Sequence, residues 1–147
     1  MIEILPLEFE YCEAVAEIAK ECLPEHWSLE GIRDVLRYDN NIFYVAIDRK
    51  QNQVIAYAGI MVLVDEAELL NIAVVPGYRN CGIAQRLMKQ LVGEAKKAKA
   101  YRMLLEVRQS NEPAKCFYRK NQFVEIANRK NYYSNPVEDA IIMEKIL

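Results

Sequence analysis

The sequence predicts an α/β fold in which about four helices flank a central sheet of seven strands. Apolar residues recur at helical spacing in some segments and at strand spacing in others, which gives the element order β-α-α-β-β-β-α-β-α-β-β. At 147 residues the chain is long enough for a core of its own, and its hydrophobic content of 52% is ordinary for a globular protein. We therefore expect a single domain over residues 1–147.

The first half of the chain is predicted to hold a short strand, two helices and three further strands. Apolar residues between positions 10 and 23 recur at helical spacing and predict the first helix, and Ser28 is a plausible N-cap for the second. Gly59, inside a long predicted strand, is a candidate for a bend or bulge. The predicted strands cover residues 2–5, 42–47, 54–64 and 68–75.

The second half contains a strand-helix-strand unit. The strand at 68–75 is followed by an amphipathic helix over 83–98 and by a further strand at 103–107. Such a crossover implies that the two strands are parallel and that their connection is right-handed. Asn111 is then expected to cap a short helix, and strands at 123–126 and 140–146 complete the pattern.

The turn before the long helix has the features of an anion site. It consists of Arg79-Asn80-Cys81-Gly82-Ile83-Ala84 and follows an apolar strand that ends at Pro76. The first turn of a helix leaves backbone N–H groups unpaired and carries the positive end of the helix dipole. A glycine also lets the backbone approach a phosphate closely. A pyrophosphate is therefore the expected occupant.

Two better-known phosphate loops do not fit this turn. A P-loop needs Gly-Lys-Ser/Thr, and the dinucleotide fingerprint needs three glycines, whereas this turn has one. In isolation the letters also fit a turn glycine before an ordinary surface helix. Arg-x-x-Gly-x-Ala after a strand resembles the pyrophosphate loop of the GCN5-related N-acetyltransferases (GNAT), and the element order matches that family. The resemblance implies a mixed, mostly antiparallel sheet with a splayed parallel pair, and acetyl-CoA as co-substrate.

Glu106 stands inside an apolar strand and is a candidate general base. Strand alternation places it on one face together with Leu104 and Arg108, and places Met103, Leu105 and Val107 on the other. The structural alternative is a carboxylate near the sheet end that pairs with Arg108 or Arg102. Because both faces of a parallel strand are usually covered, a partly desolvated carboxylate here favours the catalytic interpretation.

Tyr118 lies on the short helix that Asn111 opens. Taken alone, it is expected to be a core aromatic residue whose hydroxyl finds a partner at the edge. As a functional residue, its phenol could donate a proton to a leaving thiolate. Cys81 and Cys116 lack a histidine nearby in the sequence, so structural thiols are favoured over a covalent acetyl-enzyme.

A closer resemblance covers almost the whole chain. The sequence is similar to the bacterial ribosomal-protein-alanine N-acetyltransferases in several segments. These are Asn71-Ile72-Ala73-Val74, the Arg79–Ala84 loop, Leu105-Glu106-Val107-Arg108, Ser110-Asn111, Lys130-Asn131-Tyr132-Tyr133, and Glu138-Asp139-Ala140-Ile141-Ile142-Met143.

This resemblance implies a role for each matching position. Glu106 would be the general base and Tyr118 the general acid, while Tyr132, Tyr133 and Glu138 would border the peptide groove. The residues implied to contact acetyl-CoA are Ile72, Ala73, Val74, Arg79, Asn80, Cys81, Gly82, Ile83, Ala84, Gln85 and Asn111.

Three positions depart from the family pattern. Ala84 replaces the last loop glycine, and Cys81 takes a usually polar position. At the end of the Tyr118 helix the family usually has Gly-Phe, where this chain has Gln122-Phe123. A glutamine costs energy in a left-handed cap, so we expect Asn121 to adopt that conformation instead.

Composition excludes several classes of function. A net charge near −2 argues against nucleic acid as the main ligand, and no apolar run is long enough to span a membrane. The N-terminus lacks an export signal, and four scattered cysteines favour reduced thiols, so a cytoplasmic protein without a metal site is expected.

The expected function is acetyl transfer from acetyl-CoA to a protein N-terminus, with the N-terminal alanine of a small-subunit ribosomal protein implied by resemblance. Carboxylates at Glu66, Glu68, Glu138 and Asp139 would suit a basic peptide. Acetylation of a small-molecule amine and a non-catalytic CoA-binding module are the alternatives, because the fold alone does not determine the acceptor. We expect a monomer or weak dimer.

Overall fold

The computed structural model of residues 1–147 consists of a seven-stranded mixed sheet with helices on both faces. The predicted class and element order are confirmed. The strands are β1 (Ile2–Pro6), β2 (Asn41–Asp48), β3 (Gln53–Leu63), β4 (Glu66–Val74), β5 (Arg102–Arg108), β6 (Val124–Tyr133) and β7 (Glu138–Ile146). The helices are α1 (Cys12–Cys22), α2 (Leu29–Val35), α3 (Ile83–Lys97) and α4 (Glu112–Lys120), with single 3-10 turns at Phe9–Tyr11 and Pro76–Tyr78.

The strands lie in the order β1-β2-β3-β4-β5-β7-β6, and only β4 and β5 are parallel. These two strands pair over three residues, Glu66 to Glu68 against Arg102 to Leu104. Beyond Glu68 they separate, while β4 stays paired with β3 as far as Val74. The predicted splayed parallel pair is therefore confirmed, and it leaves a gap between the last halves of β4 and β5.

The helices cover the two faces of the sheet with separate apolar cores. α1 and α2 pack on one face, where Ser28 Oγ caps α2 by accepting a hydrogen bond from Gly31 N at 3.2 Å, as predicted. α3 and α4 pack on the opposite face. The buried residues of α3 are Ile83, Leu87, Met88, Leu91 and Ala95, so the predicted apolar stripe faces the sheet. None of the helices is long and apolar enough to cross a membrane.

A β-bulge changes which core β4 faces. Gly59 pairs with Asn71 and Ile60 with Leu69, which leaves Leu70 as an extra residue on β4. Leu69 packs in the core under α3, but beyond the bulge Ala73 belongs to the core under α1 and α2. The predicted irregularity at Gly59 is thus confirmed. A Cβ on Gly59 would lie 2.3 Å from the ring of Phe43, so this position requires glycine.

Three predicted strand boundaries are wrong. β6 was expected over residues 123–126 but extends to Tyr133, because an edge strand that is exposed along nearly all its length carries no apolar alternation to reveal it. Its backbone pairs with β7, which begins at Glu138 and not at residue 140. β3 ends at Leu63, since Val64 adopts a left-handed turn conformation with φ of +57°.

Candidate active site

The gap between β4 and β5 exposes backbone groups at the end of β4. Because β4 has no β5 partner beyond Glu68, the edge of Ile72, Ala73 and Val74 that would face β5 borders this gap. Val74 O accepts a hydrogen bond from Arg79 Nε at 2.9 Å, which ties the following loop to the strand. The predicted segment of β4 and the predicted loop are thus brought together at one end of the gap.

The Arg79–Gln85 loop delivers the start of α3 to the same place. Gly82 is the N-cap and has a φ of +80°, and Asn80 is also left-handed at +61°. No side chain caps α3, so the N–H groups of its first turn lack a partner in the chain, and the first bond of the helix runs from Arg86 N to Gly82 O. A Cβ on Gly82 would meet nothing within 4 Å, so its positive φ alone selects glycine.

Glu106 lies on β5 with its side chain 23% exposed. Its Oε2 is buried and has no hydrogen-bond partner, and Arg129 Nη1 lies 3.7 Å away as its one ion-pair neighbour. The structural alternative of pairing with Arg102 or Arg108 is wrong. Arg102 binds Glu66 and Glu144, and Arg108 binds Glu25 and Glu138.

We call the surface around this carboxylate the Glu106 face; it is formed by Glu68, Glu106, Arg108, Tyr132 and Tyr133. Burial raises the pKa of Glu68, the charge of Glu106 raises it further, and Arg129 opposes the shift. The same Glu106 charge is the main reason that the pKa of Tyr132 is raised. Burial brings the pKa of Tyr133 to about 12, again with a contribution from Glu106. The charge of Glu106 therefore acts on Glu68, Tyr132 and Tyr133 alike.

Tyr118 lies on the other side of the sheet. It is 8% exposed and belongs to the core that contains Leu105 and Val107, the residues of β5 that point away from the Glu106 face. Its ring contacts Phe123 edge-on at a centroid distance of 5.8 Å. Burial raises the pKa of Tyr118 to about 12, so its phenol stays protonated at neutral pH. The two predicted catalytic residues therefore lie on opposite faces of the sheet.

The left-handed residue after α4 is Gln122 and not Asn121, so that prediction is wrong. φ is +66° at Gln122 and −97° at Asn121. Asn121 is buried as the C-cap, where its Nδ2 donates back to α4 and its Oδ1 accepts from Gln85 Nε2 at 2.8 Å. The turn therefore falls one residue later. Phe123 N then donates to Tyr118 O at 3.0 Å, which keeps Tyr118 in a regular last turn.

Two other predicted site residues already have partners within the chain. Asn111 caps α4 as predicted, with its Oδ1 accepting from Ala114 N at 3.2 Å. Glu138 accepts from Ser110 N at 2.6 Å and from Arg108 at 3.1 Å, which holds its pKa below the usual range. Tyr132 is half exposed and lies against Tyr133 at a ring distance of 5.0 Å.

Three residues of this site were not predicted. Arg129 and Glu25 carry no sequence signal, because one lies on an edge strand without apolar alternation and the other in a polar link between helices. Arg108 was visible in the Leu-Glu-Val-Arg segment but was considered only as a partner of Glu106. Its true partners lie 83 and 30 residues away, beyond the reach of local spacing.

Residues 12–123 match the Acetyltransferase (GNAT) family, so the match covers most of the chain, including the loop and Glu106. The chain belongs to this family. A [ribosomal protein bS18]-alanine N-acetyltransferase of Escherichia coli is 40% identical over 103 residues, which are 68% of this chain and 70% of that protein.

Solved structures agree with this assignment. The ribosomal-protein-S18-alanine N-acetyltransferase from Escherichia coli superposes with a TM-score of 0.89 at 31% identity, covering 99% of this chain and 94% of that one. Arabidopsis thaliana NAA60 in complex with acetyl-CoA has a TM-score of 0.92 at 17% identity, covering 100% of this chain and 99% of that one. The second likeness supports the fold alone.

Proposed function

We propose that this GNAT protein transfers acetyl from acetyl-CoA to the α-amine of a protein N-terminus, and that its acceptor is the N-terminal alanine of a small-subunit ribosomal protein. One observation carries the proposal. Glu106, on the part of β5 that borders the gap, has a buried carboxylate oxygen without a hydrogen-bond partner, and a protonated phenol, Tyr118, lies on the opposite face of the sheet. The Escherichia coli relative named for alanine acetylation of bS18 supports the choice of acceptor.

Acetyl-CoA would bind at the end of the gap where β4 meets the Arg79–Gln85 loop. The unpaired N–H groups at the start of α3 suit a pyrophosphate, and the left-handed Gly82 aims them outward. The free edge of Ile72 to Val74 would bind the pantetheine arm in the manner of an added strand. Asn111 would contribute through its amide nitrogen, because its Oδ1 already caps α4.

The reaction would be a direct transfer with both substrates bound at once. An α-amino group has a pKa of about 7.7–8.0, so a weak base suffices to deprotonate it. Glu106 would accept this proton through a water molecule, and the amine would attack the thioester carbonyl. Backbone N–H groups near Ala73 and Val74 would stabilise the oxyanion. Holding both substrates in one complex would supply much of the acceleration.

Tyr118 would complete the reaction by protonating the CoA thiolate as the tetrahedral intermediate collapses. Its phenol carries a proton at neutral pH, because burial raises its pKa to about 12. The apolar surroundings that disfavour a phenolate also disfavour a thiolate formed beside it. The phenolate left on Tyr118 would then take up a proton from solvent, because the same burial disfavours that anion, so the step ends with a thiol and a neutral phenol.

Glu68 is the carboxylate most available to a basic acceptor. Of the four acidic residues expected to suit such a peptide, three are held within the chain: Glu66 by Arg102 at 2.7 Å, Glu138 by Arg108 at 3.1 Å, and Asp139 by Asn131 N at 3.0 Å. Glu68 instead lies at the last paired position before the gap opens, beside Glu106. Its charge would attract a substrate ammonium group.

Mass spectrometry of two peptides incubated with acetyl-CoA and the protein tests the proposal. One peptide begins with alanine followed by basic residues, and the other has the same sequence with a blocked N-terminus and a free lysine. Acetylation of the first peptide alone is the expected result. Acetylation of both peptides would point to a lysine acceptor. Acetylation of neither, together with turnover of a small amine, would overturn the peptide assignment in favour of a small-molecule acetyltransferase.

A further inference from the structure

Arg108 uses all five of its N–H groups, although it lies at the end of a strand and close to the surface. Its Nε donates to Glu25 Oε1 at 2.8 Å, and Nη2 donates to the same oxygen and to Ser134 O at 3.0 Å. Its Nη1 donates to Pro136 O at 3.0 Å and to Glu138 Oε1 at 3.1 Å. A guanidinium has five N–H donors, so none is left over. Only 12% of the side chain is exposed.

These bonds join two segments whose middle residues are exposed. Glu25 belongs to the link between α1 and α2, residues 23–28, and Ser134 and Pro136 belong to the turn between β6 and β7, residues 134–137. Residues 24–26 of the link and all four residues of the turn are exposed. Leu23 and Trp27 anchor the link in the core under α1 and α2, and the guanidinium bonds the exposed stretch between them to the β6–β7 turn.

The same network reaches Glu106. Arg108 follows Glu106 by two residues and so projects from the same face of β5. Its guanidinium lies 4.5 Å from the centroid of the Tyr133 ring, and Tyr133 packs on Tyr132. The charge of Glu106 acts directly on Tyr132. Contacts therefore run from the link at Glu25 through Arg108 and Tyr133 to Tyr132, which feels the charge of the candidate base.

We propose that Arg108 is a positioning residue that holds the α1–α2 link and the β6–β7 turn as the walls of the acceptor groove in front of Glu106, and so sets the affinity for the acceptor peptide. The inference rests on the proposed function. A role in stability alone does not explain the arrangement, because apolar residues in place of a buried ion-pair network are often as stabilising or more so.

Steady-state kinetics of Glu25→Gln separate these roles. The variant keeps a side chain of the same size but loses the charge that binds Arg108, and Glu25 is half exposed, so the fold should tolerate it. We expect the KM for the alanine peptide to rise about five- to tenfold, as charge-assisted hydrogen bonds are lost. The KM for acetyl-CoA should stay within about twofold, because the Arg79–Gln85 loop lies away from the network.

Three further variants make the test specific. Arg108→Lys keeps the charge but cannot reach four acceptors at once, and it should raise the peptide KM at least as much as Glu25→Gln. The double variant should have the same peptide KM as Arg108→Lys, since both substitutions remove the same interaction between Arg108 and Glu25. Glu3→Gln is the matched control, because Glu3 pairs with Arg49 at the opposite edge of the sheet, and it should leave both KM values unchanged.

Hydrogen exchange of the same variants supplies a reading that does not depend on turnover. Faster exchange in residues 23–28 and 134–137, with α3 unchanged, is expected. An unchanged peptide KM in an active Glu25→Gln variant, or equal rises in both KM values, overturns the proposal while leaving the proposed function intact. A wild-type protein that acetylates no peptide overturns the proposed function, and the role of Arg108 in acceptor binding with it.

Discussion

The two sides of the gap between β4 and β5 are built from different parts of the chain. The Arg79–Gln85 loop and the adjacent end of β4 present mainly backbone groups, arranged by one left-handed glycine and the start of a helix. The Glu106 face presents side chains from β4, β5 and β6, and these bond to residues far away in the sequence, including Glu25 of the α1–α2 link.

This difference separates cofactor binding, which members of the family share, from acceptor binding, which differs between members. A backbone cradle binds any ligand that carries the same phosphates, whatever side chains surround it, so one design serves many acetyltransferases. Under the proposed function, the Glu106 face would recognise an acceptor through charged and aromatic side chains, each of which can be replaced. Variants on the two sides should therefore change different kinetic constants.

Glu106→Gln should have the largest effect. Removing a general base typically costs between about 10² and 10⁴ in rate, so we expect kcat with the alanine peptide to fall by about three orders of magnitude. The dissociation constant of acetyl-CoA, measured by calorimetry, should be unchanged because Glu106 is not part of the loop. A variant with near wild-type kcat would remove Glu106 from the mechanism.

Tyr118→Phe should lower kcat by about tenfold to a hundredfold, since a second proton donor such as water can partly replace the phenol. The hydroxyl is the only group lost, and the contacts with Phe123 remain. Ultraviolet titration offers an independent check, because the wild-type protein should contain one more tyrosine that ionises only near pH 12. Equal kcat values for the two proteins would limit Tyr118 to packing.

Gly82→Ala tests the cofactor side. An alanine at a φ of +80° costs about 1–2 kcal/mol, so the loop should lose its geometry or rearrange. If that strain is relieved when the loop is unliganded, the KM for acetyl-CoA rises by roughly five- to thirtyfold, while the KM for the peptide stays constant. A variant that raises both constants equally would show that the two sides of the gap are not independent.

Glu68→Gln should give the smallest kinetic change of these variants. The change should appear in acceptor binding, on the Glu106 face. We expect a rise of a few-fold in the peptide KM, with that for acetyl-CoA unchanged, because one acceptor-facing charge is lost. Glu3→Gln again serves as the matched control.

The same substitution should change how stability depends on pH. The folded protein raises the pKa of Glu68 above its usual value of about 4.5. The free energy of unfolding therefore decreases as pH rises through the folded-state pKa. The glutamine variant should therefore be more stable than the wild type at pH 7.5 in urea unfolding. This difference should disappear below pH 4.5, where Glu68 is protonated in both states. A destabilised variant at pH 7.5 would show that the carboxylate has a favourable partner.

Sequence reasoning predicted the features that depend on nearby residues. The parallel pair follows from a strand-helix-strand unit, the caps at Ser28 and Asn111 depend on a bond three residues ahead, and the Gly82 turn precedes its own helix. It missed features that depend on distant partners. β6 is held by backbone bonds to β7, and Asn121 is held by a side chain from α3, so neither leaves a local pattern.

The candidate site divides in the same way. Glu106 was recognised because a carboxylate interrupts an apolar strand, but its neighbours Arg129 and Glu68 come from other strands. The interaction of Arg108 with Glu25 could not be read from spacing, since 83 residues separate the two. Local periodicity thus identifies which strand carries the carboxylate, and only the fold identifies what surrounds it.

The extra residue at Leu70 makes β4 sensitive to length. Side chains alternate between the two faces of a strand, so deleting one residue between Glu68 and Ile72 would turn every following side chain of β4 to the opposite face. Small and large residues would then exchange places between the two cores. We expect evolution to alter this strand by replacement only, and insertions or deletions to be confined to the turn at Asp65 and to the segment Pro76–Tyr78 that follows the strand.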